Sequence, residues 1–308
     1  MKVAIMGSGG IGAYTGGRLA AAGMDVAFIA RGAQLAALRD TGLTIKSPRG
    51  DVHLPRVSAT SDPAEVGIAD LVIFSVKLWD TEAAAEAMRP MVGPDTLVVT
   101  FQNGIDSADT LSKYVGRQQV VRGAYYISAH VASPGVIEDT GMENRMMVDG
   151  LDGDARIASF KASCEAATGL VCEIARPEID FIWQKFVGLS AFSGSTALLR
   201  KPIGAVCGNP VTRSFLRDLV TETATVASAK GVRLPPTIAE TVFGNLTRLA
   251  PGAFASMAVD VMHGRRLELA WLSGRIHKLG EELGIATPAH TAVYRGLILH
   301  EMGTTQQS

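Results

Sequence analysis

Lys2-Val3-Ala4-Ile5-Met6-Gly7-Ser8-Gly9-Gly10-Ile11-Gly12 is the stretch whose reading decides the fold. An apolar run that turns at Gly7 into G-x-G-x-x-G spacing predicts a β-strand passing through a tight loop into a helix. The glycines have separate expected roles. Gly7 allows the turn, Gly9 lets the backbone approach a pyrophosphate, and Gly12 lets the helix pack closely on the sheet. A pyrophosphate held there faces a helix N-terminus, whose unpaired N–H groups and positive dipole end favour anions. Ser8, Gly10 and Ile11 complete the loop as candidate cofactor-binding residues. In a chain with 33 glycines the spacing alone is weak evidence, so the residues around it matter.

Outward from the loop, Asp25-Val26-Ala27-Phe28-Ile29-Ala30 predicts a second strand. It ends at the distance where an acidic residue ordinarily holds the ribose hydroxyls of NAD. Arg31 stands there instead. A carboxylate would repel a 2′-phosphate, whereas a guanidinium offers it a planar fork of donors. The reading is a dinucleotide site that prefers NADP(H); the competing one is an ordinary surface arginine after a strand.

At 308 residues the chain is long for one core, and two domains are expected. A hydrophobic content of 47% with 19% charged residues fits compact α/β and helical packing rather than disorder. The net charge of −1 gives no reason to expect a nucleic-acid partner. Cys164, Cys172 and Cys207 are odd in number and lack a C-x-x-C pair, which argues against a disulfide framework and a structural zinc site. No apolar run reaches membrane-spanning length, and no basic segment with a cleavage site precedes the first strand. The expectation is a cytoplasmic protein without membrane or nucleic-acid partners.

From Lys2 to about Ile174, short apolar runs alternate with helical patterns, as a parallel sheet with crossover helices requires. Asp70 to Val76 and Thr96 to Phe101 are the clearest later strands. Their polar tails, Lys77 and Gln102-Asn103-Gly104, fall at strand carboxyl ends, where open parallel sheets bind ligands. Val120 to Ile127 reads as a further strand, Gly135 to Glu138 and Asn144 to Val148 as a hairpin, and Val171 to Ile174 as the closing strand. Pro177 suits the first turn of a helix, and everything after it reads as helical. The expected fold is therefore α/β: a Rossmann-type doubly wound sheet over residues 1–176, binding NADP, followed by an all-helical substrate and catalytic domain over 177–308.

A bound nicotinamide supplies hydride, so the protein must supply a proton and orient a carbonyl. Ile182-Trp183-Gln184-Lys185-Phe186 sets a lysine among bulky apolar residues, with Leu189 and Ser193 one and two turns later. A lysine with the usual pKa of about 10.4 is charged at neutral pH and serves as a general acid toward a developing alkoxide. The alternative is a lysine laid along a helix surface with its head in water. A second constellation is Ser256-Met257-Ala258-Val259-Asp260 followed by Arg265-Arg266-Leu267-Glu268, in which Glu268 could fix a substrate hydroxyl or the lysine. The six histidines show no paired ligand spacing, so no metal is expected. No G-x-S-x-G elbow surrounds Ser193 or Ser195.

Taken together, Gly7 to Gly12, Arg31, Val76-Lys77, Asn103-Gly104, Trp183-x-Lys185, Ser256-Met257 with Asp260, and Glu268 make the chain resemble the ketopantoate reductase family, the 2-dehydropantoate 2-reductases, nearly end to end. The resemblance implies NADPH-dependent reduction of a small-molecule 2-oxo acid to a 2-hydroxy acid, a step of pantothenate biosynthesis. It implies that Lys185 is the proton donor and that Glu268 supports the active site or cofactor. Arg31 and Lys77 would grip the adenosine phosphate end, Asn103 would contact cofactor and substrate, Ser256 would bind substrate, and Ala129 would touch the cofactor through its backbone.

The chain departs from the family pattern after the lysine. Leu189 and Ser193 stand where substrate-binding asparagines are usual. Leucine cannot hydrogen-bond a substrate hydroxyl, and an unpaired hydroxyl in a closed site costs about 1 to 3 kcal/mol. The expected substrate is 2-dehydropantoate or a related, less polar 2-oxo acid. Other hydroxy-acid or opine-type dehydrogenases on the same architecture stay open, as do an NADPH-binding sensor without catalysis and a homodimer.

Overall fold

A computed structural model describes residues 1–150 and 154–304; residues 151–153 and 305–308 lie outside the described residues. Strand β1, Lys2–Met6, runs into helix α1, Gly10–Ala21, and then β2, Asp25–Ile29, and α2, Gly32–Asp40. Three short strands follow, β3 (Leu43–Lys46), β4 (Val52–Leu54) and β5 (Ser58–Thr60). Next come β6 (Ala69–Phe74), α3 (Thr81–Met88), β7 (Val92–Thr100) and α4 (Ser107–Leu111). The region closes with β8 (Val120–Ser133), β9 (Val136–Val148), α5 (Ala155–Ala166) and β10 (Cys172–Ile174).

The strands form one sheet in the order β4-β3-β9-β8-β7-β6-β1-β2-β5, with β10 also paired to β9. From β5 to β8 every neighbour is parallel. Side chains alternate across a strand with period two, so each strand of a sheet covered on both faces feeds two cores. Val3, Ile5, Phe28, Leu71 and Ile73 pack on one face against Tyr14 and Leu19 of α1 and Phe160 of α5. Ala4, Met6, Val72 and Phe74 pack on the other against Ala85 and Met88 of α3 and Leu111 of α4. Helices on both faces make the sheet doubly wound, of Rossmann type.

The expected hairpin within residues 135–148 is not what forms. Val136 to Glu138 and Asn144 to Val148 belong to the single strand β9, whose antiparallel partner is β8. The polar segment between them is a bulge: Ile127 pairs with Asn144 and Ala129 with Asp139, leaving extra residues on β9 around Gly141, which has φ +76°. The turn lies instead at Pro134-Gly135, where Gly135 takes φ +77°. β8 is correspondingly longer than the expected Val120 to Ile127. Its first residues extend the parallel sheet beside β7, and the rest pairs with β9.

Two compact units divide the chain, Met1–Pro177 and Glu178–Ser308. The second is helical: α6 (Phe181–Leu199), α7 (Ile203–Gly208), α8 (Pro210–Ala229), α9 (Ile238–Leu246), α10 (Ser256–Met262), α11 (Ser273–Leu283) and α12 (Pro288–Leu297). Pro177 lies in a turn rather than in the first turn of a helix. The start of α6 is set by Asp180, whose carboxylate accepts from the Ile182 and Trp183 N–H groups at 3.1 and 3.1 Å, donors a helix start otherwise leaves unpaired. α6 is apolar around much of its circumference because it packs against α8, α9, α10, α11 and α12.

Candidate active site

In the first unit β2, β1, β6 and β7 are parallel neighbours, so their carboxyl ends lie side by side. The segments leaving those ends carry Arg31, Gly7, Lys77 and Asn103. Gly7 turns the chain with φ +100°, and a Cβ there would lie 2.8 Å from the Val76 nitrogen. A Cβ on Gly12 would lie 2.1 Å from the Gly7 carbonyl oxygen and 2.4 Å from Ser75 Oγ, so α1 begins closer to the loop than any side chain permits. One on Gly10 would fall 2.3 Å from the carbonyl oxygen of Ala129, which brings β8 against the same loop. Gly9 differs: nothing lies within 4 Å of its Cβ position. Ser8 is buried and its hydroxyl and N–H both donate to the Ile29 carbonyl, at 2.9 and 3.1 Å, which ties the loop to β2. Ile11 packs against the core on the α1 face of the sheet.

Arg31 is exposed immediately before α2 and is followed by Gly32 with φ +54°. Lys77 is exposed too, with its ammonium 5.5 Å from the centre of the Trp79 ring. Asn103 is half-buried ahead of Gly104, φ +87°. Two amides organise this edge: Gln102, which the sequence reading marked as part of a polar strand tail, and Gln34, which it did not mark. Gln102 donates to the Val76 carbonyl at 2.9 Å and to Thr81 Oγ1 at 2.8 Å, fastening the end of β7 to the segment that carries Lys77. Gln34 joins the glycine loop to the turn between β8 and β9. Gln34 has one local signal, its place in the first turn of a helix three residues after the cap, where a Gln side chain folds back onto the preceding loop.

In the second unit Lys185 lies on α6 with part of its surface still exposed. Burial nevertheless lowers its pKa to about 8, against the opposing pull of the Glu268 carboxylate, which raises it. Glu268 is only 7% exposed and precedes a single helical turn, Leu269–Trp271. Leu189 is half-buried on α6. Ser193 does not share the setting of Lys185: it is 0% exposed, and its hydroxyl has no protein partner among the described residues. Eight residues at about 100° each leave it about 80° around the helix from Lys185, enough to turn it into the packing. Ser256 is exposed as the first residue of α10, a helix packed on α6, and Asp260 is buried with Arg265 3.7 Å away. The structure thus couples Lys185 with Glu268. A lysine near pKa 8 beside a buried carboxylate can give or take a proton close to neutral pH.

Residues 3–152 match the family model described as ketopantoate reductase PanE/ApbA, and residues 179–301 match that of its C-terminal part. The chain is 30% identical over 292 residues to a 2-dehydropantoate 2-reductase of Halobacterium salinarum, covering 94% of this chain and 95% of that protein. It is 29% identical over 305 residues to YkpB of Bacillus subtilis, an uncharacterized oxidoreductase, covering 98% and 99%. Among solved structures, a PanE/ApbA family ketopantoate reductase from Ralstonia eutropha superposes with a TM-score of 0.89 at 34% identity, covering 98% of each chain. Fold, site and relatives define an oxidoreductase that acts on CH–OH groups with a nicotinamide cofactor. The chain belongs to the ketopantoate reductase family. No helix among the described residues is long and apolar enough to cross a membrane.

Proposed function

We propose that this protein reduces 2-dehydropantoate or a related, less polar 2-oxo acid to the 2-hydroxy acid with NADPH, with Lys185 as general acid. In this reading residues 1–176 form the NADP-binding domain and residues 177–308 the substrate and catalytic domain. The observation that carries the mechanism is the electrostatic pairing of Lys185 with Glu268 on a lysine whose pKa burial has brought to about 8.

The glycine loop suits a dinucleotide. Gly7, Gly10 and Gly12 are closed to any Cβ, whereas the side of Gly9 is open, as a backbone surface awaiting a pyrophosphate must be. Arg31 is exposed at the end segment of β2, where it favours a 2′-phosphate and so NADPH. Lys77 and Asn103, from the neighbouring carboxyl ends, join Gly7 to Gly12 and the Ala129 backbone in holding the cofactor. NADPH, when bound, supplies the hydride.

Lys185 holds the proton that the carbonyl oxygen of the substrate receives, and Glu268 keeps enough of the lysine protonated for that purpose. Ser256, on the same unit as Lys185, contributes a polar contact to the 2-oxo acid. Leu189 offers only apolar surface, and Ser193 is buried. A substrate hydroxyl placed against Leu189 loses a hydrogen bond worth about 1 kcal/mol or more, which favours an apolar group in that position.

The test is a spectrophotometric screen of 2-oxo acids with NADPH, paired with Lys185→Ala. Turnover should fall by about 10² to 10⁴ with NADPH affinity nearly unchanged. An unchanged rate would remove Lys185 from the mechanism. Efficient turnover of 2-dehydropantoate alone would refute the preference for a less polar substrate. A sensor that only binds the cofactor has no use for the Lys185–Glu268 pair.

A further inference from the structure

We infer that Gln34 is a positioning residue for the cofactor, acting through the amide of Gly9. The inference rests on the cofactor reading above and adds a residue to it. Gln34 Nε2 donates to the Ser8 carbonyl at 3.0 Å, and Gln34 Oε1 accepts from the Gly135 N–H at 3.0 Å. One end faces a carbonyl and the other an N–H, so the partners dictate which way the amide points.

The peptide bond between Ser8 and Gly9 is planar and trans, so its C=O and N–H point in opposite directions. A grip on the Ser8 carbonyl from α2 therefore turns the Gly9 N–H away from α2. That N–H has no protein acceptor among the described residues, and its residue is the one glycine of the fingerprint whose Cβ position is open. Gln34 thus holds a vacant donor in place at the start of α1, where donor groups and helix dipole together favour a pyrophosphate.

Both residues that Gln34 touches have other anchors on other groups. Ser8 is held by Ile29, and the Gly135 carbonyl accepts from the Thr44 N–H at 2.9 Å. Loss of Gln34 should therefore disturb the direction of the Ser8–Gly9 peptide more than the fold. The position requires a donor and an acceptor about as far apart as an amide provides. A glutamate reaches both partners but, when ionised, sets an oxygen against the Ser8 carbonyl. Once protonated it reproduces the amide: its O–H donates to Ser8 and its carbonyl accepts from Gly135.

The experiment is NADP⁺ and NAD⁺ binding by titration calorimetry to the full chain and to Gln34→Met and Gln34→Glu, with thermal midpoints recorded. Gln34→Met should raise Kd about five- to tenfold, the equivalent of one net hydrogen bond, and by the same factor for both cofactors because both contain the pyrophosphate. Gln34→Glu should bind weakly at pH 8 and recover relative to the parent as the pH falls toward 5, a recovery that a merely structural residue would not show. A folded Gln34→Met with Kd within twofold of the parent overturns the inference. So does a Gln34→Glu deficit that stays constant with pH, which decides the matter if Gln34→Met does not fold. A parent protein that binds neither dinucleotide overturns the cofactor reading itself and this inference with it, a result distinct from either variant outcome.

Discussion

Raising the pH through the titration of Lys185 is the perturbation that separates a catalytic lysine from a surface one. Burial brings the amine from 10.5 to about 8. A group of that pKa is about 91% protonated at pH 7 and about 9% at pH 9, so a reduction needing its proton slows about tenfold across that span. An ordinary lysine stays about 97% protonated at pH 9 and leaves the rate flat. The assay is the initial rate of loss of reduced-nicotinamide absorbance, taken as kcat/KM for the 2-oxo acid. Oxidation of the 2-hydroxy acid needs the neutral amine and should accelerate over the same interval. Because Glu268 is the group that raises Lys185, Glu268→Gln should move the alkaline limb to lower pH. A parent profile flat to pH 9, or a limb that survives in Lys185→Ala, refutes the assignment.

The same titration has a consequence for stability, with the opposite direction. The unfolded chain keeps this proton up to about 10.5 and the folded chain only up to about 8, so between those values the unfolded state binds more protons. Stability from this group therefore rises with pH through that window. The full shift, 10.5 minus 8, corresponds to about 3 kcal/mol at most. Chemical denaturation of the parent between pH 8 and 10.5, compared with Lys185→Met, should show that slope lost in the variant.

The second and third glycines of the fingerprint, Gly9 and Gly12, should respond differently to alanine. Gly12→Ala forces a methyl to within 2.1 Å of the Gly7 oxygen and should lower the thermal midpoint, at a cost of about 1 to 3 kcal/mol or more. Gly9→Ala meets nothing within 4 Å, so it should keep the parent midpoint while weakening dinucleotide binding; a shared loss of stability would contradict this division. Arg31→Ala should raise the KM for NADPH far more than that for NADH, and equal changes would refute the phosphate assignment. Leu189→Asn should shift selectivity toward hydroxyl-bearing 2-oxo acids by about fivefold to a hundredfold, the equivalent of about 1 to 3 kcal/mol, measured as the ratio of kcat/KM for matched substrates.

Some of this was legible in the sequence because the physics is local. β1, β2, β6 and the second half of β7 are nearly continuous apolar runs, as strands buried on both faces must be, and the carboxyl ends that carry Gly7, Arg31, Lys77 and Asn103 follow from them. The short strands Leu43–Lys46, Val52–Leu54 and Ser58–Thr60 were not, since three or four mixed residues hold no period long enough to read. The polar run around Gly141 resembles a hairpin turn, and only pairing with β8 shows it to be a bulge. Gln34 was hidden for the same reason: one of its two partners lies 101 residues away.

Lys185 and Leu189 combine a legible identity with an environment that sequence could not supply. The lysine owes its pKa to burial in its folded setting and to Glu268, 83 positions along the chain by residue number. Leu189 stands one turn further along the same helix, which packs against several others. Exchanging leucine for an amide there alters which substituent can be solvated by protein, while Lys185 and Glu268, the proposed proton donor and its partner carboxylate, stay as they are. A family built this way can keep one reaction and vary its substrate through the polarity of a single helix position, and the Leu189→Asn selectivity ratio measures whether this chain has done so.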